Sequence, residues 1–479
     1  MYLNRHQNLK MRSTKSRIIL NVVLCLTVFG TFVSGQNEPA KAAPTPTPSP
    51  TPVMGKPPVI VIPGLTGSDL YNKNTGKLVW FKRSRDKDDD IRLPITPNIA
   101  ANTDNLVPKD IIRAVKIARI IPEVEIYQQL IEGLKTRGGY REVKWDEAGP
   151  NDAQDTFFVF PYDWRRDNVE TARSLIQRVE QLKAKLGKPD LKFNIIAHSM
   201  GGLVSRYAAM YGDADIPGGR IRPSWAGAKY FDKIFLLGTP NQGSVSSLKA
   251  LLEGYSYLGG GINLPFVRDI SNVDVFTIPS AYQLLPHSGT FLAYGEDLKP
   301  LKLNIYEPRT WEEYGWDIWN GEKFSKNFTT AEQNNALLYF RAVLDRAKRF
   351  QEALNANTNP KAPVNFYLIG SDCKDTQDAL LIRRNESKDK WITQFNAQSF
   401  TASDGTKATS EELKPLLYSV GDSVVTKRSL TASTLAANGN PNVLPLAGDL
   451  LQCETHGKLV TNPAIQDKLF MILGALPTP

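Results

Sequence analysis

Ala197-His198-Ser199-Met200-Gly201-Gly202 follows an apolar-rich run at 191–196 and opens a helical pattern. A strand that ends in small-x-Ser-x-Gly and turns straight into a helix is a nucleophile elbow, with its serine exposed at the carboxyl edge of a parallel sheet. Strand and helix nearly touch there, so small residues are needed two before and two after the serine. Ala197 stands where glycine is more usual.

A serine hydroxyl attacks only when a base takes its proton. The chain has four histidines: His6, His198, His287 and His456. His6 lies in the N-terminal segment. His198 is next to the serine, where its ring should point away from it. The alpha/beta-hydrolase order is serine, acid, histidine. His456, after a turn-rich stretch and before the helical run 464–473, is the expected base. His287, in Leu284-Leu285-Pro286-His287, is expected to line or border a pocket. The expected acid is Asp422, in the turn Gly421-Asp422-Ser423-Val424-Val425, and its rival is Asp372 after the strand-like run 364–370. The acid would fix the histidine tautomer and stabilise the imidazolium. An oxyanion hole needs two backbone N–H groups. Met200, after the nucleophile, supplies one, and Leu65, in the turn after the apolar run 58–62, supplies the other.

Pro63-Gly64-Leu65-Thr66-Gly67-Ser68, Pro161-Tyr162-Asp163-Trp164-Arg165, the elbow, Gly238-Thr239-Pro240-Asn241-Gln242-Gly243-Ser244 and the Asp422 turn occur in this order. Together they resemble the lecithin:cholesterol acyltransferase family, which includes lysosomal phospholipase A2 and the phospholipid:diacylglycerol acyltransferases. Pro279-Ser280-Ala281-Tyr282-Gln283-Leu284-Leu285-Pro286 resembles it too. The resemblance spans about 57–473. It implies a triad of Ser199, Asp422 and His456, with oxyanion amides at Leu65 and Met200. Animal members carry a disulfide-closed loop soon after the Pro-Gly turn, whereas 69–108 here holds no cysteine. Trp80-Phe81 can be read as an interfacial anchor at a substrate or lid position, or as a buried aromatic pair. Nothing in the sequence marks a sterol acceptor.

Strand and helix patterns alternate along the chain. Apolar residues at 126, 130, 131 and 134, and at 175, 176, 179, 182 and 186, recur at helical spacing. Runs at 157–160 and 230–237 read as strands. This alternation implies an alpha/beta-hydrolase fold: a mostly parallel central sheet with helices on both faces. The segment of about 245–327 breaks the rhythm. It holds an apolar helix pattern, the Gly259-Gly260-Gly261 hinge and a cluster of Trp311, Tyr314, Trp316 and Trp319, and reads as an inserted lid or cap. A cap core without lipid contact is the other reading of the tryptophans. The helical pattern 331–356 then returns to the sheet. Asp163 and Arg165 are expected to pair as structural supports.

Five basic residues precede the apolar run 18–33, so residues 1–35 read as a secretory signal peptide or an uncleaved signal anchor. Residues 36–57 form a linker that includes Ala-Pro-Thr-Pro-Thr-Pro-Ser-Pro-Thr-Pro, extended and unable to pack a core. Residues 58–479 are left for the catalytic domain. The formal charge of +9 is inflated by the signal, beyond which 53 basic face 49 acidic residues. That balance does not argue for nucleic-acid binding. Cys373 and Cys453 could pair in an oxidising compartment, although sequence leaves this open. No metal-ligand spacing or phosphate loop is present, so no cofactor is expected, nor any obligate protein partner.

The expectation is a secreted or cell-envelope serine enzyme moving an acyl group from a lipid or membrane-interface substrate to water or an alcohol acceptor. A soluble carboxylesterase, peptidase or thioesterase, and a non-catalytic envelope binding protein, are the competing classes.

Overall fold

The computed structural model describes residues 55–82, 90–115, 124–255, 270–358, 362–385, 389–439 and 443–477. The signal segment, nearly all of the linker and the Gly259-Gly260-Gly261 hinge lie outside the described residues. Seven strands form the central sheet: Val59–Ile62 (β1), Arg141–Glu142 (β2), Thr156–Val159 (β3), Phe193–His198 (β4), Phe231–Leu237 (β5), Asn365–Gly370 (β6) and Leu446–Leu451 (β7). Their order is β7-β6-β5-β4-β1-β3-β2. Every neighbouring pair is parallel.

β1 reads Val-Ile-Val-Ile and is wholly buried. A strand covered on both faces needs no polar alternation. Its period of two instead divides its side chains between two cores. Ile60 and Ile62 join Ile195 and Ile234 on one face. Val59 and Val61 join Ile196, Phe235 and Leu237 on the other. Burying each such side chain contributes roughly 1.5–3 kcal/mol.

The second core is closed by helices Gln128–Thr136 (α1) and Pro463–Ile472 (α5 below), through Leu130, Ile131, Leu134, Ile465, Leu469 and Phe470. The first is closed by Asn168–Leu186 (α2), Met200–Tyr211 (α3) and Thr330–Leu354 (α4); Pro463–Ile472, on the second core, is α5. α2 begins where the Asp167 carboxylate accepts from the Val169 N–H at 3.0 Å and ends at Gly187, whose φ of 63° suits glycine. α1 starts later than its apolar spacing suggests, because Val124–Glu125 pairs as a short strand with Ala114–Val115.

Between β5 and β6 lie helices Val245–Glu253, Asn272–Phe276, Pro279–Gln283, Pro308–Glu313 and Glu322–Asn327, then α4. Trp311 and Trp316 are buried, and Trp311 and Trp319 pack their rings 5.0 and 4.3 Å from Phe340 of α4. These tryptophans therefore form internal packing against α4. Between β6 and β7, Ala379–Asn385 pairs antiparallel with Lys390–Gln394 and parallel with Leu292–Tyr294, joining this insertion to the previous one. β7 lies at the sheet margin, hydrogen-bonded to β6, and is half-exposed along its length. Among the described residues, no helix is long and apolar enough to cross a membrane.

The chain leaves β1 for β3 on one side and reaches β4 on the other. Carboxyl ends at such a switch point leave a crevice where α/β proteins bind ligands. The Pro63–Ser68 turn and Ser199 meet there.

Candidate active site

Ser199 joins β4 to α3 with φ 53° and ψ −125°. A non-glycine residue in that region costs of order 1–3 kcal/mol and persists only where its surroundings enforce it. Its N–H donates to Leu237 O at 2.8 Å. A Cβ on Gly201 would stand 2.5 Å from Pro63 O, and one on Gly202 would collide with Thr239. Both glycines are thus required by the neighbouring turns.

His456 Nε2 lies 2.9 Å from Ser199 Oγ, and its Nδ1 lies 2.8 Å from Asp422 Oδ2. An ionised carboxylate only accepts, so Nδ1 carries the proton and Nε2 is free to accept from the serine. The backbone repeats this link, with His456 N–H donating to Asp422 O at 2.8 Å. Asp422 Oδ1 accepts from the N–H groups of Val424 and Val425 at 3.0 and 2.7 Å. Asp422 is 1% exposed. Burial alone would raise its carboxyl, but the His456 imidazole and the two amides hold it below the usual carboxylate range. Asp372 is elsewhere, with Oδ2 accepting from Lys427 Nζ at 2.9 Å.

Gly238, at φ 58°, forms the floor of this pair. A Cβ there would stand 3.0 Å from His456 Nδ1 and 3.1 Å from Asp422 Oδ2. Its motif is visible in the sequence, but this contact across the sheet is not. The Cys373–Cys453 disulfide, with Cα atoms 5.4 Å apart, ties the end of β6 to the loop carrying His456.

The Pro63–Ser68 turn lies against the serine: a Cβ on Gly64 would be 2.8 Å from Ser199 Cβ. Thr66 has φ 62°. Tyr162 Oη donates to Pro63 O at 2.9 Å, and Trp80 Nε1 donates to Thr66 O at 3.0 Å. Gly67 N–H closes the turn on Gly64 O at 3.1 Å. Among the described residues, the amides of Leu65 and Met200 have no internal acceptor. Two unpaired donors beside a nucleophile suit an oxyanion. Met200 also opens α3, whose positive end favours negative charge.

His198 faces away from the serine. Its Nδ1 lies 2.9 Å from Tyr127 Oη and its Nε2 lies 3.2 Å from His456 O. Tyr127 Oη also accepts from Gly64 N–H at 2.9 Å. Burial, helped by the neighbouring His456, pushes His198 down to about 3. The ring is therefore neutral, although it sits 4.9 Å from that of His456. Two cations at that distance would repel by about 3 kcal/mol at an effective dielectric of ~20.

A sequence model of the family "Lecithin:cholesterol acyltransferase" matches residues 116–445. The chain belongs to the lecithin:cholesterol acyltransferase family. The matched span holds Ser199 and Asp422, while the Pro63–Ser68 turn and His456 lie outside it and join through the fold. Among solved structures, this family member is similar to a chain in the crystal structure of the Tle4–Tli4 complex. The two are 15% identical with a TM-score of 0.53, covering 88% of this chain and 98% of that one. It is also similar to the mature Bacillus licheniformis lipase BlEst2, at 13% identity and a TM-score of 0.33, covering 90% and 95%. At 15% identity the likeness to the Tle4–Tli4 chain is one of fold. No curated protein matches the chain.

The remaining expected residues of this acyltransferase-family chain fall outside the serine–histidine–aspartate chain. Trp80 is 1% exposed and packs on Trp164, so the interfacial-anchor reading is corrected to a support behind the Pro63–Ser68 turn. His287 Nδ1 accepts from Gly289 N–H at 3.1 Å. Its neighbours Pro286 and Thr290 line a small cleft with Asp378 and Arg428. Burial pushes His287 down to about 4. Arg165 is fully buried and bridges Asp163 and Asp104, each at 2.7 Å. Tyr127, Tyr162 and Gly238 were not marked as site residues by spacing, because each acts across the sheet. Among the described residues, no group of three or more His, Cys, Asp or Glu side chains is placed to hold a metal ion.

Proposed function

We propose that this alpha/beta hydrolase of the lecithin:cholesterol acyltransferase family is a serine-dependent lipid acyl hydrolase and acyltransferase. Ser199 Oγ attacks the ester carbonyl as its proton passes to His456 Nε2. Asp422 holds the imidazole and stabilises the imidazolium. The Leu65 and Met200 amides take the negative oxygen of the tetrahedral intermediate. On collapse the carbonyl–oxygen bond to the leaving alcohol breaks, and that oxygen takes the proton from His456. Water or a second alcohol then resolves the acyl-serine by the same route, giving a free fatty acid or a new ester.

The observation that carries this reading is the unbroken hydrogen-bonded chain from Ser199 Oγ through His456 to Asp422, at 2.9 and 2.8 Å. Family membership supports a lipid as the acyl donor. The N-terminal segment supports secretion or an envelope location, with residues 58–479 as the catalytic domain and about 245–327 as its lid or cap. The test uses purified protein and Ser199→Ala on phospholipid vesicles containing a long-chain alcohol, with mass spectrometry of free acid and new ester. Serine-dependent acyl release is expected, and the ratio of acid to ester measures hydrolysis against transfer. Hydrolysis of short soluble esters alone, with vesicles untouched, would overturn the lipid assignment. Wild-type turnover by Ser199→Ala would overturn the nucleophile.

A further inference from the structure

We infer that His198 and Tyr127 are positioning residues that hold the oxyanion turn and the general base in register with the nucleophile. The inference rests on the serine mechanism proposed above and goes beyond the triad and its two amides.

Donor and acceptor inventories fix the direction of every bond in the chain. The His456 carbonyl can only accept, so His198 Nε2 carries the hydrogen that faces it. A neutral imidazole then has a lone pair on Nδ1, and the Tyr127 hydroxyl donates to it. The Tyr127 oxygen is left to accept from Gly64 N–H. Every polar atom in the series is satisfied in one proton arrangement. Tyr127 is 2% exposed and His198 is 8% exposed, so water does not readily replace either link.

The series joins parts that the chain supplies separately. Gly64 precedes Leu65 in the turn after β1. Ser199 follows β4. His456 hangs from the loop after β7. His198, adjacent to Ser199, is bonded through Tyr127 to the first loop and directly to the third. Two other side-chain ties of the turn, Tyr162 to Pro63 O and Trp80 to Thr66 O, do not reach the loop of His456. Misplacing reacting groups by about 1 Å can cost roughly 10²-fold in rate. A side chain that references donor and base to the nucleophile therefore acts on turnover more than on substrate binding.

The test uses the full chain with p-nitrophenyl butyrate for steady-state kinetics, a fluorophosphonate probe for Ser199 reactivity and thermal melts for folding. Tyr127→Phe keeps the ring and removes the hydroxyl. It is expected to lower kcat roughly 10- to 100-fold, with KM within about twofold and phosphonate labelling slowed in parallel. His198→Leu removes both links. His198→Asn keeps an acceptor near the Nδ1 position, and His198→Gln keeps a donor near the Nε2 position. Each is expected to fall between wild type and His198→Leu in kcat. Wild-type kcat in Tyr127→Phe and His198→Leu would overturn the inference. So would losses that follow the melting temperature and that neither Asn nor Gln relieves, since these would mark packing alone. Ester turnover without vesicle hydrolysis would remove the lipid assignment, yet the same kcat pattern would still support the relay. Wild-type protein with neither turnover nor labelling would remove both.

Discussion

A methyl group on Gly238 would stand within 3.1 Å of both atoms of the bond that orients His456. Gly238→Ala should therefore lower kcat roughly 10²-fold and destabilise the fold by about 1–2 kcal/mol through its positive φ, measured by steady-state kinetics and thermal melts. Asp422→Asn should cost roughly 10⁴-fold in kcat, because the amide favours the wrong imidazole tautomer. Asp372→Asn, which loosens only the Lys427 pair, should stay within about twofold on the same assay. Histidine scarcity and chain order made Ser199, Asp422 and His456 legible in the sequence. The motif around Gly238 was visible but its contact was not, and nothing local marked Tyr127, because the partners of both are distant in sequence. Acid weakens the fold through single histidines that burial keeps neutral. His198 is held at about 3 against an ordinary value of 6.5. The unfolded chain takes up a proton below about 6.5 where the native chain does not. Stability is therefore full above that pH and is lost as pH falls toward 3, by about 1.4 kcal/mol per unit. His287 acts in the same direction, whereas Asp422 loses its contribution only below the ordinary carboxylate range. Melts at pH 7, 6 and 5 should fall in that order, and His198→Asn should flatten the slope.

Among elements, the strand–helix alternation was readable because buried parallel strands are short apolar runs and α2 keeps its helical spacing through 19 residues. The Ala379–Asn385 and Lys390–Gln394 hairpin was not. Its first four residues are all buried, so no alternation marks the strand. The tryptophans of the insertion were ambiguous for a similar reason: the face that covers Trp311 comes from α4, distant in sequence. The disulfide links positions 80 residues apart. Closing a loop of that length contributes about 4–5 kcal/mol in the chain-entropy account. The double variant Cys373→Ser/Cys453→Ser should melt several degrees lower. It should also lose kcat, since Cys453 anchors the loop of His456. Calorimetry and ester turnover check the two effects separately.

At the scale of the whole molecule, the parallel sheet gathers one chemical unit from loops after β1, β4, β6 and β7. The order serine, acid, histidine announced that arrangement, but the strand order that seats β1 beside β4, and so the first loop beside the nucleophile, was not in the local pattern. The nucleophile sits on a central strand, whereas the base follows the half-exposed strand at the margin. Amides paired on one side only, and open to water, exchange through small local openings rather than through global unfolding. Hydrogen–deuterium exchange should therefore be faster at Leu446–Leu451 than at Phe193–His198, and faster still once the disulfide is reduced. The disulfide at Cys453 stands between that fraying strand and His456, so it keeps openings of β7 from reaching the base. Reduction would remove this barrier and divide the molecules into competent and silent ones, with the serine in place in both.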